Sequence, residues 1–376
     1  MKFLVLWLAV ALGWPGAFCS LQKSDLSGRS GKSAAIVGMV TRKFTDATRK
    51  NWQGTGPRPE TTVVWYPAAS GSKETNDWGD PSMRPLFVPI AVAPDAALFN
   101  ETQKYPLVLL SHGHTGVALE LMWLGHYLAS RGYIVAAVDH HGDSMAEGQV
   151  LPQGFLLRGE RVRDLSDIID KLLVDPVFGA HIDANRIGAA GHSSGGETVI
   201  AIAGGRFDGK RLQDFCDAHS SNLTCQPREA ILASIAKLEE LKKMDPVVQE
   251  VVSREQHSVQ DLRIKGVFAM APAVGEAYTK EGLEPVHIPV SILVGRGDRV
   301  TTPATNAQRY AKLIRGARLT VFPGNVGHMT FGSECTALGK KTFEGCEDGE
   351  GVDRSEFHRR VEQLAYDFFQ QAFAKK

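Results

Sequence analysis

The feature that most constrains the fold is a glycine-rich turn between a short apolar strand and a helix. Residues 186–190 form the apolar run, the turn reads G-H-S-S-G-G over 191–196, and helical periodicity continues to residue 203. A chain that turns this sharply needs small residues beside the turning point, and the side chain at that point faces a cleft. The sequence therefore predicts a strand, a tight turn centred on Ser193, and a helix starting at Ser194.

Strands and helices alternate on both sides of this turn. The other strands of the core are predicted at 107–110, 133–138, 266–270, 290–294 and 318–322. Helices are predicted at 119–127, 161–173, 304–314 and 356–373. Earlier strands are predicted at 36–40, 61–66 and 86–92. This alternation predicts an α/β fold in which a mostly parallel central sheet is flanked by helices on both faces.

The alternation is interrupted between residues 206 and 262. This stretch is polar, contains two cysteines and includes a charged amphipathic segment over 230–243. Irregular stretches of this length inside a compact domain are typical of insertions. We expect one domain over 20–376. Residues 206–262 are expected to form a helical insertion before the sixth core strand, and this insertion is expected to cap the functional site.

The first 19 residues have the pattern of a secretory signal peptide. Lys2 is followed by an apolar run over 3–13, and small residues, Ala17 and Cys19, precede the expected cleavage point. A lipoprotein acylated at Cys19 is the alternative, although Phe18 is larger than the residue that normally precedes such a cysteine. We expect a secreted or periplasmic protein whose mature chain lacks a transmembrane segment, since no later run of about 20 residues is free of charges.

Four cysteines remain after the predicted signal peptide, which is the number that two disulfides require in an oxidising compartment. Three pairings are possible, and the close spacing within polar stretches favours Cys216 with Cys225 and Cys335 with Cys346. Four free thiols are the alternative. A zinc site is not expected, because no pair has C-x-x-C spacing with a matching histidine pair.

The charge balance excludes a common class of partner. The chain has 42 Lys and Arg against 42 Asp and Glu, so it lacks the basic excess of nucleic-acid-binding proteins. With 43% hydrophobic residues it has the composition of an ordinary globular protein. Nothing in the sequence predicts an oligomeric state.

Two polar residues follow consecutive predicted strands near the C-terminus. Asp298 ends V-G-R-G-D after the strand at 290–294, and His328 lies in the loop after the next strand. The carboxyl ends of parallel strands face one crevice, and a serine nucleophile needs a histidine base oriented by a carboxylate. Ser193, Asp298 and His328 are therefore the candidate catalytic residues, in the chain order expected for this architecture. Glu276, farther beyond its own strand, is the alternative acid.

Such a site also needs N–H donors for a developing oxyanion. The candidates are the backbone N–H of Ser194, directly after Ser193, and that of His114, in the H-G-H-T-G loop after the first core strand. His112 and His114, or the D-H-H-G-D run at 139–143, are an alternative metal site. We favour no metal and no cofactor, because further ligands are missing at sensible spacing, and we interpret Asp139 as a structural residue at a strand end.

These motifs resemble those of the α/β-hydrolase superfamily from residue 61 to the C-terminus. The chain is most similar to the secreted branch with platelet-activating-factor acetylhydrolase-like, cutinase-like and predicted dienelactone hydrolases. The likeness rests on V-W-Y-P-A at 64–68, S-H-G-H-T-G at 111–116, G-H-S-S-G-G at 191–196 and the loops of Asp298 and His328. The resemblance implies a Ser-His-Asp carboxylic-ester hydrolase without metal or cofactor.

Two positions depart from that branch. Dienelactone hydrolases use a cysteine nucleophile where this chain has Ser193, and the acetylhydrolases place their acid one strand earlier, where this chain has A-P-A at 271–273. The substrates of those families therefore transfer poorly. We expect hydrolysis of a small-molecule or lipid-like ester through an acyl-enzyme; a peptidase or amidase using the same triad, and a non-catalytic binding protein, are the alternatives.

Overall fold

The protein is described by a computed structural model over residues 35–77, 86–100, 102–226, 229–254 and 258–374. The predicted signal peptide at 1–19 lies outside the described residues. The segment Ala34–Lys376 forms one compact unit. Within the described ranges, no helix is both long enough and apolar enough to cross a membrane.

The centre of this unit is a nine-stranded mixed sheet with the order β3-β1-β2-β5-β4-β6-β7-β8-β9. Its strands are β1 (Val37–Lys50), β2 (Pro57–Pro67), β3 (Ala93–Pro94), β4 (Tyr105–Ser111), β5 (Ile134–Val138), β6 (Ile182–His192), β7 (Ile264–Met270), β8 (Val290–Gly295) and β9 (Arg318–Phe322). Neighbouring strands along β5-β4-β6-β7-β8-β9 are parallel, whereas β2 is antiparallel to both β1 and β5. The predicted α/β fold with a mostly parallel sheet is confirmed.

The helices lie between the strands and after the last one. They are α1 (Met122–Ser130), α2 (Pro152–Leu156), α3 (Gly159–Leu173), α4 (Ser194–Ile202), α5 (Gly209–Ala218), α6 (Glu229–Met244), α7 (Pro246–Arg254), α8 (Lys280–Leu283), α9 (Ala307–Leu313), α10 (Gly339–Thr342) and α11 (Arg354–Ala374). A 3-10 turn at Ala118–Leu121 leads into α1.

Apolar side chains cover both faces of the sheet. One core packs α3, α4 and α9 on the sheet through residues such as Leu165, Ile200 and Tyr310. The other packs α1 and α11 on the opposite face, with Leu128 and Phe369 fully buried. Because both faces are covered, the central strands are continuous apolar runs. Each such side chain contributes about 1.5–3 kcal/mol to stability on burial.

The predicted helical insertion forms α5, α6 and α7 in its described residues, of which α6 covers the charged periodic segment predicted at 230–243. Its apolar face packs in a small separate core, where Leu238 and Val248 meet Trp52 and Leu157. A hydrogen bond of 2.8 Å between the hydroxyls of Thr224 and Thr305 also links the insertion to the chain segment after Asp298. Its predicted role as a cap stays a proposal.

One predicted strand is largely absent. Most of the described residues in 86–92 are irregular, with isolated bridges at Phe87 and Val92, and only Ala93–Pro94 pairs with β1. Pro89 lacks the N–H that ladder pairing needs, so the apolar pattern does not produce a continuous strand there. In contrast, β1 and β2 extend well beyond 36–40 and 61–66 as a long hairpin.

Two disulfides connect near neighbours in the chain. Cys216 is bonded to Cys225 in the insertion, and Cys335 is bonded to Cys346 in the segment between β9 and α11. These are the pairs that the spacing favours. Cys335 and Cys346 are both buried.

Candidate active site

Ser193 lies at a strained turn between β6 and α4. Its backbone has φ 57° and ψ −118°, a conformation that costs a non-glycine residue about 1–3 kcal/mol. The turn is held by the Ser193 N–H, which donates to the carbonyl of Met270 at 2.9 Å. A β-carbon at Gly191 would overlap the backbone of Gly195, and one at Gly195 would overlap the carbonyl of Ser111. The glycines of the motif are therefore required by close backbone approach.

Asp298 and His328 lie at the same edge of the sheet as Ser193, because they follow the parallel strands β8 and β9. Oδ2 of Asp298 lies 2.8 Å from Nδ1 of His328. Oδ1 of Asp298 accepts from the N–H groups of Val300 and Thr301, each at 2.8 Å. The Thr301 hydroxyl donates to Oδ2 of Asp298 at 2.8 Å. Nδ1 of His328 therefore carries the proton, and Nε2 is left with its lone pair.

The protonation states follow from burial and from this contact. Burial alone raises the pKa of Asp298, but the charge and hydrogen bond of His328 and the donors of Thr301 outweigh it, so the pKa lies below its ordinary value. Burial lowers the pKa of His328 below its ordinary value, although Asp298 acts in the opposite direction. The pair thus holds a carboxylate and a neutral imidazole near neutral pH.

His328 packs against the turn that carries Ser193. Its ring centroid lies 4.6 Å from that of His192, the residue before Ser193, and its carbonyl oxygen lies 3.1 Å from Nε2 of His192. Among the described hydrogen bonds, none joins Oγ of Ser193 to His328. Serine–histidine contacts are often looser before substrate binds.

The loop with His114 approaches Ser193 from the end of β4. A β-carbon built on Gly113 would lie 3.4 Å from Cβ of Ser193. Nδ1 of His114 lies 2.6 Å from Oδ1 of Asp143, and the ring stacks on Phe155 at 3.7 Å between centroids. Ser194 is the first residue of α4, and the first N–H groups of a helix have no partner within it. Both predicted oxyanion donors therefore lie on segments that adjoin Ser193.

Asp143 and Arg161 support this loop, although the sequence indicates Asp143 only as part of the alternative metal site at 139–143 and indicates no role for Arg161. Nη1 of Arg161 lies 2.5 Å from Oδ2 of Asp143, and both side chains are buried. Nη2 of Arg161 also donates to the carbonyl oxygen of His112. The signal in the sequence is an arginine on the buried face of a predicted helix, where an unpaired charge is too costly.

The other histidines of this region are engaged in hydrogen bonds. Nδ1 of His112 donates to the carbonyl of Gly113 at 2.6 Å, and its Nε2 accepts from the His140 N–H at 3.1 Å. His140 contacts Ser111 and Asp164 through its two ring nitrogens. Over the described residues, no group of three or more His, Cys, Asp or Glu side chains is arranged to hold a metal ion.

Two further acids that the sequence singled out have structural contacts. Glu276 lies 3.2 Å from Nη2 of Arg211 and 3.2 Å from Nε of Arg309. Asp139 accepts from the N–H of Ala118 and the hydroxyl of Ser144, each at 2.8 Å. The acid that contacts His328 is therefore Asp298.

Comparison with known sequences finds partial similarity. The sequence pattern of the family platelet-activating factor acetylhydrolase, isoform II, matches residues 88–155 of this chain, which include the His114 loop. Cutinase est1 of Thermobifida alba is 32% identical over 111 residues, or 29% of this chain and 34% of that protein. Dipeptidyl-peptidase 5 of Porphyromonas gingivalis is 30% identical over 121 residues, or 31% of this chain and 16% of that protein. The match thus spans about a third of the cutinase's length.

Comparison with solved structures covers nearly the whole chain. The structure of ferulic acid esterase from Streptomyces cinnamoneus matches with a TM-score of 0.61 and 21% sequence identity, covering 90% of this chain and 91% of that chain. The fold is that of an α/β-hydrolase, and the predicted resemblance to this superfamily is confirmed. Within it, the similarity to the acetylhydrolase family and to cutinases agrees with the branch that the motifs indicate.

Proposed function

We propose that the protein is a serine hydrolase that cleaves carboxylic esters, with Ser193 as nucleophile, His328 as general base and Asp298 as the acid that orients His328. The observation that carries the proposal is the hydrogen-bonded pair of His328 and Asp298, packed against the strained turn of Ser193. A strained nucleophile beside a neutral, oriented imidazole is the arrangement that acyl transfer requires. The similarity to a cutinase supports an ester as the substrate.

The reaction proceeds in two halves. Nε2 of His328 accepts the proton of the Ser193 hydroxyl as Oγ attacks the ester carbonyl, and the N–H groups of His114 and Ser194 donate to the oxyanion. The tetrahedral intermediate collapses, the C–O bond to the alcohol breaks, and the alcohol leaves with the proton from His328. Water then attacks the acyl-enzyme with His328 as base, which releases the acid and restores Ser193.

The test is hydrolysis of p-nitrophenyl esters from acetyl to long acyl chains by the wild type and by Ser193→Ala. We expect the variant to lose at least about a thousandfold in kcat, since the nucleophile is removed. Ser220→Ala removes an exposed hydroxyl from the insertion and serves as the matched control. Turnover retained by Ser193→Ala would overturn the proposal, and the dependence on chain length would report the size of the acyl pocket.

An amidase or peptidase is the second candidate, because part of a dipeptidyl-peptidase aligns with this chain. The same triad cleaves amides when the leaving amine is protonated by the histidine. Matched p-nitrophenyl esters and p-nitroanilides with the same acyl group separate the two. For each substrate, the catalysed rate is divided by the uncatalysed rate. A larger ratio for the anilide than for the ester would favour the amidase.

We also propose that the protein acts outside the cytoplasm, as its predicted signal peptide implies. Support comes from the two disulfides, which persist in oxidising compartments and are rare where thiols are kept reduced. Fractionation of expressing cells, with a cytoplasmic marker protein as control, tests this. Retention of the chain with the cytoplasmic marker would contradict it.

A further inference from the structure

A carboxylate that the proposed mechanism does not use lies beneath the loop of His114. Oε2 of Glu120 accepts from the Gly113 N–H at 3.2 Å, and Oε1 lies 2.6 Å from Nδ1 of His192. The side chain is only 14% exposed. A β-carbon at Gly116 would overlap Oε2 of Glu120, so the glycine leaves the space that the carboxylate occupies.

The contacts of Glu120 keep it ionised. Burial raises its pKa, but the hydrogen bond and charge of His192, the nearby His112 and the Gly113 N–H outweigh burial, so the pKa lies below its ordinary value. A buried carboxylate of this kind is tolerated only where donors satisfy it. Its donors come from two segments, the loop at residue 113 and the turn at residue 192.

His192 extends this bridge to a third segment. Its Nδ1 faces the Glu120 carboxylate, and its Nε2 lies 3.1 Å from the carbonyl oxygen of His328. Both partners are acceptors, so the ring satisfies both contacts only when each nitrogen carries a proton. The ring also packs against Phe331 with centroids 5.7 Å apart, which restricts its orientation.

We propose that Glu120 is a positioning residue that, together with His192, holds the oxyanion loop, the turn of Ser193 and the loop of His328 in one arrangement. The inference rests on the proposed function. A donor stabilises an oxyanion only when it points at the position where the charge develops, and displacements of about 1 Å cost large factors in rate. In the described contacts, Glu120 touches neither Ser193 nor the Asp298–His328 pair itself.

The test compares Glu120→Ala with Glu120→Gln on a p-nitrophenyl ester that the wild type hydrolyses. Alanine removes both contacts, so kcat should fall about 10- to 100-fold while KM changes less than about twofold, because the loss is confined to the transition state. Glutamine can accept from the Gly113 N–H and donate to Nδ1 of a neutral His192, whose Nε2–H still reaches the His328 carbonyl. It should therefore restore kcat to within about fivefold of the wild type.

The chain offers a matched control. Glu147 makes the same kind of contacts, 2.8 Å from Nδ1 of His141 and 2.8 Å from the Gly142 N–H, but none of its described contacts is with Ser193, His328 or the loop of residue 113. Glu147→Ala should leave kcat within about twofold of the wild type. Thermal unfolding of all variants shows that each is folded at the assay temperature.

A second readout does not depend on activity. In protein labelled with 15N-histidine, we expect the ring nitrogen signals of His192, assigned from the spectrum of His192→Gln, to shift in Glu120→Ala, which removes the contact at Nδ1, and to stay unchanged in Glu147→Ala. Unshifted His192 signals in Glu120→Ala, or a kcat of Glu120→Ala within twofold of an active wild type, would overturn the inference and leave the proposed function standing. A wild type inactive on every ester would overturn the proposed function, and the positioning role with it, whatever the spectrum shows.

Discussion

Nδ1 of His328 lies 2.8 Å from Oδ2 of Asp298, although the two residues are 30 positions apart in the chain. They meet because β8 and β9 are parallel neighbours and each residue follows the carboxyl end of its strand. The N–H groups of Val300 and Thr301 fix the other carboxylate oxygen, so the contact sets both the tautomer and the orientation of the imidazole.

Asp298→Asn should therefore lower kcat by about three to four orders of magnitude with a small change in KM, because an amide at this position favours the wrong tautomer of His328. Steady-state kinetics on a p-nitrophenyl ester measure this. The matched control is Glu276→Gln, which alters the other acid that the sequence offers and should leave kcat within about threefold. The reverse ranking of the two variants would reassign the acid.

The dependence of activity on pH should report His328. Only its neutral form accepts the Ser193 proton, and burial places its pKa below the ordinary value of 6.5. We expect kcat/KM to rise with pH through a single ionisation whose midpoint lies below 6.5, and then to stay level through neutral pH. A midpoint clearly above 6.5 in the free enzyme would contradict this environment for His328.

The free energy of unfolding should decrease as the pH is lowered, because of a separate set of buried histidines. Burial lowers the pKa of His112 to about 3, that of His140 to about 4 and that of His358 to about 4. Below about pH 6.5 the unfolded chain binds protons at these positions and the folded chain does not, so each histidine removes about 1.4 kcal/mol per pH unit. Glu60 and Glu362, whose pKa values burial raises to about 10 and about 7, act in the opposite direction. The loss should therefore be measured by denaturant unfolding between pH 7.5 and 4.5 as the difference between the wild type and a variant that lacks one of these histidines.

His358→Gln isolates one of these contributions. His358 stacks on Trp123 with centroids 4.1 Å apart, and its Nε2 lies 3.1 Å from the carbonyl of Thr330, which a glutamine amide can also reach. The variant should be less stable at pH 7.5 but should lose less stability between pH 6.5 and 4.5. An unchanged slope would show that His358 titrates normally in the folded protein.

The two disulfides should contribute unequally to stability. They close loops of similar length, with sequence separations of 9 and 11, for which the chain-entropy contribution is about 3 kcal/mol each. Cys335 and Cys346 are also buried, whereas Cys216 and Cys225, in the insertion, are not. Replacing Cys335 and Cys346 by alanine should therefore lower the free energy of unfolding by more than the same change at Cys216 and Cys225. Equal losses would contradict this difference.

The elements that the sequence predicts well are those whose pattern has one structural solution. Apolar runs such as those of β4, β5 and β8 are typical of strands covered on both faces, and the turn at Ser193 requires its glycines. The same order of strands places Asp298 and His328 at one edge. For these reasons the fold and the proximity of these two residues follow from pattern and topology alone.

The parts that the sequence does not predict depend on contacts between distant segments. Glu120 is one acidic residue in the apolar run 117–124, and nothing in its own segment indicates His192 as its partner. The pairing of Asp143 with Arg161 is likewise a tertiary contact. At 86–92 the sequence instead predicts a strand that the structure does not form, because the apolar segment lacks a continuous strand partner there.

The most direct test of the central claim is covalent labelling by a fluorophosphonate, followed by peptide mass spectrometry of the wild type and of Ser193→Ala. A serine activated by His328 should form one adduct, on the peptide with Ser193, at a rate that falls in Asp298→Asn. The account predicts this single site and no labelling of Ser193→Ala. An unlabelled wild type, or equal labelling of Ser193→Ala, would contradict Ser193 as the nucleophile.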